Sequence, residues 1–482
     1  MLDSRRQLRN YFDKAYKLSQ KFVFTAFTIS FLLSYLIAFL PTYDLPKEAI
    51  HTLFILLFAA GLWISEAIPA FAVSLLIIAL EIVLLGFPNL DFASRSKVWQ
   101  VYLQPWSSPL IFLFLAGFIM AAAAAKTRLD VWLAKNMLFF VGGKPHNIIT
   151  GLIGITFVLS MFISNTATAA MMMTILIPLL AHIEESNPFK KTIFLAVIIG
   201  ANLGGMATII GTPPNAIAVG ILGDNAPSFV GWMLLALPPA ITVTLILRVV
   251  ILKLYPSSED FIDLNLTQEP KHFDNADKKI SNLPSWKQYI TMVIFTLTIL
   301  MWLTGPLHHI PTTVVSLIPI IGFTLFGILD ADDICRIRWD VIILIIGGLS
   351  LGLAVSKTGL DVWLATLIST DSLSVLLLMF TFSYLVVVIS NFMSNTAATN
   401  IMLPIVVAIA ITISEQSTQM VVVAVALSAS FAMSLAVSTP PNAIIYSSKK
   451  IDSKDLLILG IVTATIGPAI VIAWLYFIET FF

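Results

Sequence analysis

Two copies of a Ser-Asn-Thr triplet stand in strongly apolar parts of this sequence. The first occupies residues 164–166 within "FISNTATAA", and the second occupies residues 394–396 within "FMSNTAATN", 230 positions later. Neither copy has a charged residue beside it. Hydroxyl and amide groups in apolar surroundings cost free energy unless they find a partner, so the duplicated triplets predict a site for an ion or a polar ligand.

A helical hairpin with a triplet at its tip would provide both kinds of binding group. Its first arm ends with unpaired carbonyls, the negative end of the helix dipole, and its second arm begins with unpaired N–H groups, the positive end. Carbonyl oxygens together with a Ser hydroxyl and an Asn amide oxygen form a site for a hard cation. The N–H groups together with Asn and Thr donors form an anion site. A single kinked span is the alternative conformation.

Two Thr-Pro-Pro segments repeat this arrangement on what we predict to be broken helices. "GTPPNAI" begins at Gly211, and "STPPNAI" begins at Ser438. Proline removes a backbone donor and stops the preceding helix, and it is well suited to start the next one. A broken helix facing each hairpin tip gives one cation pocket per half of the chain, with both triplets near the middle of the membrane.

This arrangement favours an anion with two similar ends, such as a small dicarboxylate. Neither motif contains Arg or Lys, so a bound dianion needs accompanying cations, and sodium in the two oxygen-rich pockets would supply them. Neither motif contains a carboxylate, which argues against a proton relay. The competing interpretation of one such triplet is a packing residue bonded to its own helix, but duplication in equivalent places argues against it.

The composition identifies the elements that must position these residues. The chain has 482 residues, of which 58% are hydrophobic and 11% charged, and its mean hydropathy is +0.94. Soluble domains are far more polar, so we predict an all-α polytopic membrane protein built from helices of roughly 20 residues. A formal net charge of zero gives no indication of a nucleic-acid partner, and the single Cys335 excludes an intrachain disulfide.

The motifs recur in one order, which indicates an internal duplication. "KTRLDVWLA" from Lys126 and "KTGLDVWLA" from Lys357 add a further matching pair. The predicted parts are a cytoplasmic tail with the first span (1–48), a first repeat (49–252), a cytoplasmic linker (253–287) and a second repeat (288–482). We place hairpins at about 147–183 and 373–412, and broken helices at about 192–222 and 421–447.

Five crossings per repeat would invert the second repeat relative to the first. The positive charges agree with eleven transmembrane helices plus two re-entrant hairpins, with the N-terminus cytoplasmic and the C-terminus outside. The expected location is the plasma (inner) membrane. Glu66 is expected at the end of a span, and an interfacial or interhelical role is expected for Glu81.

Two other classes of function fit less well. An intramembrane protease needs a base or acid partner for its serine, and no buried His or pair of aspartates is suggested by the sequence. Unwound helix ends that collect cargo suit a carrier better than a channel. We therefore predict a transporter and not an enzyme.

At these motifs the sequence resembles the divalent anion/sodium symporter family. The resemblance implies two inverted-topology repeats, a homodimer formed through a scaffold domain, and an elevator-type movement of the transport domain. It implies a first sodium site at Ser160, Ser164, Asn165 and Gly211, and a second at Ser390, Met393 (through its carbonyl), Asn395 and Ser438. It implies substrate contacts at Ser164, Asn165, Thr166, Thr212, Ser394, Asn395, Thr396, Thr439 and Pro440.

The expected activity is secondary active, sodium-coupled symport of C4 dicarboxylates such as succinate, malate and fumarate. Sodium is then the coupling ion and no other cofactor is expected, while the partners are the dicarboxylate, sodium, membrane lipid and a second copy of the chain. The alternatives are a sodium-independent exchanger, for example of 2-oxoglutarate against malate, and a citrate or sulfate carrier.

Overall fold

The computed structural model describes residues 2–41, 43–87, 98–139, 142–180, 187–257, 285–367, 374–414 and 416–481. Most of the predicted linker, at 258–284, and the outermost hairpin positions 181–183 and 373 lie outside these residues. All regular structure in the described part of the chain is helical.

The helices of the first half are α1 (Leu2–Phe39), α2 (Lys47–Ser65), α3 (Ala70–Leu84), α4 (Pro109–Thr127), α5 (Leu129–Phe139), α6 (Pro145–Phe162), α7 (Asn165–Leu179), α8 (Phe189–Met206), α9 (Pro213–Leu222) and α10 (Phe229–Leu254). The second half contains α11 (Ser285–Leu303), α12 (Thr312–Leu325), α13 (Ala331–Cys335), α14 (Trp339–Thr358), α15 (Leu360–Thr366), α16 (Val375–Ser390), α17 (Asn395–Ile413), α18 (Thr418–Ala429), α19 (Pro440–Ser447) and α20 (Ser453–Phe481). Short helical segments at Val98–Ser107, Gly223–Asn225 and Gly305–His308 connect longer ones.

One compact unit comprises residues 1–107 and 343–371. In it α1 packs on α2 through aromatic rings, with the Phe31 ring centroid 5.5 Å from that of Phe54. Glu66 ends α2 in the left-handed conformation, with φ of 48°. Glu81 is buried on α3 and accepts a hydrogen bond from Ser350 of α14, so its contact is interhelical.

The second compact unit comprises residues 108–342 and 372–482 and contains both triplets and both Thr-Pro-Pro segments. Both units draw on both halves of the sequence. In this unit α6 packs on α8, and α16 and α17 pack on α18. Nearly every residue of α8 is buried, so this helix forms the centre of the unit.

The triplets lie at the beginnings of helices. Helix α6 ends at Phe162, Ile163 is extended with φ −118° and ψ 147°, and α7 begins at Asn165. In the second half α16 ends at Ser390 and α17 begins at Asn395. The two arms contact each other in each case. Neither triplet is therefore threaded through a continuous helix.

The Thr-Pro-Pro segments also interrupt helices. Residues 207–212 separate α8 from α9, and residues 430–439 separate α18 from α19. Both prolines of each segment occupy the first two positions of the following helix, where a missing N–H costs nothing.

Ten helices in the described residues are long and apolar enough to cross a membrane. Shorter apolar helices add Ala70–Leu84, Thr312–Leu325, Val375–Ser390 and Thr418–Ala429, among others. Large apolar side chains on many of these helices are exposed, as in Leu245 and Leu300. This is the surface of a protein that crosses the lipid several times.

Candidate functional site

A cluster of oxygen atoms surrounds Asn165 at the first helix break. Ser160 Oγ is buried and lies 2.6 Å from Ala201 O and 2.8 Å from Asn165 Oδ1. When the Asn165 amide turns its nitrogen to this cluster, the nitrogen donates to Ala201 O at 3.2 Å and to Gly211 O at 3.2 Å. When the oxygen faces the cluster, it meets only acceptors. The Ser160 hydroxyl then provides the single hydrogen among four oxygens, an arrangement that a hard cation stabilises.

Two glycines let the backbone approach this cluster. A Cβ on Gly205 would lie 2.2 Å from Asn165 Oδ1, and a Cβ on Gly211 would lie 2.3 Å from Gly205 O. Both distances are far below van der Waals contact, so a side chain at either position displaces its neighbour. The end of α8 is thereby packed directly on the hairpin tip.

Thr208 ties the hairpin tip to the break. Its hydroxyl donates to Met161 O and accepts from Gly211 N at 3.1 Å. Asn215, the Asn of "TPPN", donates to carbonyls at the end of α8 and in the break that follows, with distances of 3.1 Å to Met206 O and 2.7 Å to Thr208 O. These bonds satisfy groups that the interrupted helix leaves without partners.

The second break has the same plan with different residues. Asn442 donates to Met433 O at 2.9 Å and to Leu435 O at 3.0 Å, as Asn215 does to Met206 and Thr208. Ser438 Oγ donates within 3.2 Å of both Asn391 O and Asn391 Oδ1. The Asn391 carboxamide oxygen also accepts from Ser434 N at 2.9 Å, so Asn391 joins the tip of this hairpin to its break.

The structure brings together three members of the first predicted sodium site and records no hydrogen bond among the described members of the second. Ser160, Asn165 and Gly211 share one cluster, whereas Ser164 Oγ caps α7 by accepting from Ala167 N at 3.3 Å. In the second set Ser390 Oγ and Asn395 Oδ1 are buried without a hydrogen-bond partner in the described part of the chain. Ser438 bonds to Asn391 instead, and Met393 is buried.

The predicted substrate residues lie at four helix N-termini. Thr166 and Thr396 stand in the first turns of α7 and α17, Thr396 being buried and Thr166 half-buried. Ser394 Oγ caps α17 by accepting from Ala397 N at 3.2 Å. Thr439 Oγ1 accepts from Asn442 N at 3.4 Å at the start of α19, followed by the exposed Pro440.

Thr212, the equivalent of Thr439, precedes α9 in an extended conformation with φ −148° and ψ 144°. N–H groups at the beginnings of helices attract anions.

The two halves interlock through these helices. Helix α7 packs on α19 and α17 packs on α9, so each hairpin contacts the helix that follows the other half's break. Asn202 of α8 donates to Asn442 Oδ1 at 3.2 Å and links the halves directly.

Sequence reasoning missed Ala201 and Asn391. Ala201 takes part through its carbonyl, for which no residue type is a signal. Asn391 could have been found, because it is an amide in an apolar helix beside Ser390.

Comparisons with known proteins show the family of this chain. The profile of the citrate transporter family matches residues 60–426 and, in a second match, residues 310–482. The chain belongs to the citrate transporter family. Sodium-dependent dicarboxylate transporters SdcS of two Staphylococcus aureus strains, bovine RF122 / ET3-1 and MRSA252, are each 30% identical to this member, over 90% of its length and 87% of theirs.

Solved transporter structures share the fold. The Alcanivorax borkumensis YdaH transporter superposes with a TM-score of 0.55 at 12% identity, covering 90% of this chain and 99% of that one. MtrF of Neisseria gonorrhoeae, described as an antimetabolite efflux pump, gives 0.50 at 11% identity, covering 85% and 94%.

The resemblance to divalent anion/sodium symporters is therefore confirmed. This family member is a multi-pass membrane protein and a secondary transporter, not an enzyme.

Proposed function

We propose that this protein imports C4 dicarboxylates such as succinate, malate and fumarate across the plasma membrane by symport with sodium. The observation that carries the proposal is the oxygen cluster formed by Ser160, Asn165 and the carbonyls of Ala201 and Gly211. A member of the same family that is 30% identical bears the name sodium-dependent dicarboxylate transporter.

Sodium fits the cluster because the groups that face the Asn165 side-chain oxygen there are neutral oxygens. Hard cations prefer hydroxyl, amide and carbonyl oxygens. A sodium ion there would hold the Asn165 amide with its oxygen towards the cluster. The amide nitrogen would then point away from the ion and be free to donate to a carboxylate.

A dicarboxylate fits because the donors occur in two equivalent sets. Asn165 and Thr166 begin one helix, and Asn395 and Thr396 begin its counterpart. Thr212 and Thr439 directly precede the helices that pack against them, and Pro440 begins one of these helices. No Lys or Arg belongs to either set. The bound cations must therefore neutralise the charge of the dianion.

We infer a topology of eleven spans and two re-entrant hairpins. Eight of the ten long helices act as spans, because Pro145–Phe162 and Asn395–Ile413 are hairpin arms. The short helices α3 and α12 and the broken pair α18 and α19 complete the eleven. With the N-terminus cytoplasmic and the C-terminus outside, this arrangement keeps the repeats inverted. Two compact units are what an elevator movement requires, and we propose a homodimer as its support.

Uptake into proteoliposomes tests the proposal. Labelled succinate should accumulate when external sodium is present and should fall to background when choline replaces sodium. Equal uptake in both salts would refute sodium coupling. Competition by excess malate, fumarate, citrate and sulfate identifies the cargo, and we expect the C4 dicarboxylates to compete best.

The sodium-independent exchanger makes a different prediction. An exchanger takes up succinate only when the vesicles contain unlabelled dicarboxylate, whereas a symporter does not need internal substrate. If uptake occurs only in preloaded vesicles and does not depend on sodium, the protein is an exchanger and our proposal is wrong.

Substitution of the two triplet amides tests the site. Asn165→Ala and Asn395→Ala should each abolish uptake in protein that purifies and unfolds normally, because each removes one cation ligand and one anion donor. Asn136→Ala is the matched control, since Asn136 is exposed and donates to Trp132 O of its own helix. Full uptake by both triplet variants would discredit the site.

A further inference from the structure

Three buried side-chain oxygens near the second break have no hydrogen-bond partner in the described part of the chain. They are Ser390 Oγ on α16, Asn395 Oδ1 on α17 and Ser428 Oγ on α18. Ser390 and Ser428 have no exposed surface. Ser428 belongs neither to the triplet nor to the Thr-Pro-Pro segment. Buried polar atoms without partners are rare in folded proteins, and a bound ion is one explanation where several of them lie on helices that pack together.

Hydrogen bonds establish how the two halves correspond in this region. Asn215 bonds Met206 O and Thr208 O, and 227 residues later Asn442 bonds Met433 O and Leu435 O. This pairs α8 with α18 residue by residue. The hairpins correspond by position: Asn165 begins α7 and Asn395, 230 residues later, begins α17, and Ser160 and Ser390 each stand five residues before them. This pairs α6 with α16.

Ser428 therefore stands where Ala201 stands in the first half. Ala201 O lies 2.6 Å from Ser160 Oγ, and Ser160 is the equivalent of Ser390. Residues four apart lie on one helix face, and the position four after Ala201 is Gly205, whose backbone lies against Asn165. Helix α18 packs on α16 and α17, and from the correspondence of the halves we expect its equivalent face to carry Ser428 towards Ser390 and Asn395. Alanine at position 201 provides no hydroxyl, so this oxygen occurs in the second half alone.

We propose that Ser428 contributes its hydroxyl oxygen as an additional ligand of the second cation, beside Ser390 and Asn395. The inference rests on the proposed sodium symport and extends it. The two cation pockets then differ in their ligands: the second has a hydroxyl from the helix that precedes the break, and the first has only a carbonyl there. Sodium binding to the second pocket depends on residue 428, and sodium binding to the first does not.

Sodium titrations of the purified full-length protein test this inference. The readouts are thermal stabilisation by sodium chloride against choline chloride without substrate, and sodium-dependent succinate uptake. Ser428→Ala should raise the sodium concentration for half-maximal effect about tenfold, which is the lower end of the loss for groups supporting metal sites. Ser428→Thr keeps the hydroxyl and should stay within about twofold of the unmodified protein.

Ser383→Ala is the matched control. Ser383 is also a fully buried hydroxyl without a partner in the described residues, on α16 two turns before Ser390. The Ser383→Ala variant should need the same sodium concentration for half-maximal effect as the unmodified protein. Ala201→Ser gives the first pocket the same hydroxyl and should not restore the Ser428→Ala variant.

The outcomes separate the two proposals. If Ser428→Ala transports succinate with sodium and needs the same sodium concentration as the unmodified protein, Ser428 is not a ligand. Sodium symport itself is then unaffected. The role of Ser428 is also overturned if sodium binding is weakened equally in three variants: Ser428→Ala, Ser428→Thr and Ser383→Ala. The weakening would then come from altered packing. Absence of any sodium effect in the unmodified protein overturns both.

Discussion

The backbone of Gly205 lies directly against the side-chain amide of Asn165, so close that a Cβ on Gly205 would stand 2.2 Å from Asn165 Oδ1. Gly205 belongs to the last turn of α8, and Asn165 begins α7. The contact places the end of one interrupted helix against the beginning of another. It explains why a helix former such as alanine is absent at this position.

Gly205→Ala should abolish sodium-dependent uptake while leaving the protein folded. The added methyl displaces the end of a short side chain, which can rotate away, so the Asn165 amide leaves the oxygen cluster. Uptake and thermal unfolding are measured on the same preparation. We expect the variant to unfold near the temperature of the unmodified protein and to retain less than about one tenth of its uptake. A tenfold loss corresponds to roughly 1.4 kcal/mol.

Two glycines of the same region serve as references. A methyl added at Gly154 on α6 would meet no atom within 4 Å, so Gly154→Ala should be neutral for uptake. At Gly204 the methyl would stand 2.3 Å from Phe157 O, a backbone atom that cannot yield, so Gly204→Ala should lower the unfolding temperature itself. Loss of uptake in Gly154→Ala would show that the effect is not specific to the Asn165 contact.

Thr208→Val should destabilise the first hairpin tip. Valine keeps the shape but removes the hydroxyl that donates to Met161 O and accepts from Gly211 N. Unpaired buried groups cost about 1–3 kcal/mol each, which should appear in thermal or denaturant unfolding in detergent. Thr242→Val is the control, because the Thr242 side chain is exposed and its hydroxyl donates to Pro238 O of its own helix. Equal stability of the two variants would contradict the prediction.

Asn202→Ala, Asn442→Ala and the double variant should show that the bond across the halves contributes to stability. Asn202 donates to Asn442 Oδ1 at 3.2 Å. Each single substitution removes this bond, so the second substitution should cost less in the double variant than it does alone, by about 0.5–1.5 kcal/mol. Unfolding of the three variants in detergent gives this coupling free energy. Effects of the two single substitutions that simply add would count against the cross-half bond.

Asp130→Asn should stabilise the protein at neutral pH. Burial raises the pKa of the Asp130 carboxyl from 3.8 to about 6, although the Val131 N–H donates to it at 2.8 Å. The folded protein thus holds this proton more tightly than the unfolded chain does. The stability it contributes is present below pH ~4 and is lost as the pH rises through ~6.

The gain on substitution should therefore grow from pH 4 to pH 6 and then level off, reaching about 2–3 kcal/mol. Denaturant unfolding across this range checks both the direction and the window. A gain that is the same at pH 4 and pH 7 would mean that the carboxyl of residue 130 does not titrate as described.

The sequence alone determined where the helices break. Proline cannot continue a helix, so "GTPPNAI" and "STPPNAI" had to begin new ones, and α9 and α19 do begin at Pro213 and Pro440. The apolar composition required membrane helices, and the family follows from the duplicated motifs. These properties depend on residues close together in the chain, whose conformational limits are local.

Only the tertiary structure decided which oxygens meet. Ser160 and Ala201 are 41 residues apart, and Asn391 and Ser438 are 47 apart. Carbonyl ligands belong to every residue type alike, so a sequence cannot single out Ala201. Which hydroxyls remain without partners in the described part of the chain, as at Ser390 and Ser428, likewise depends on how whole helices pack.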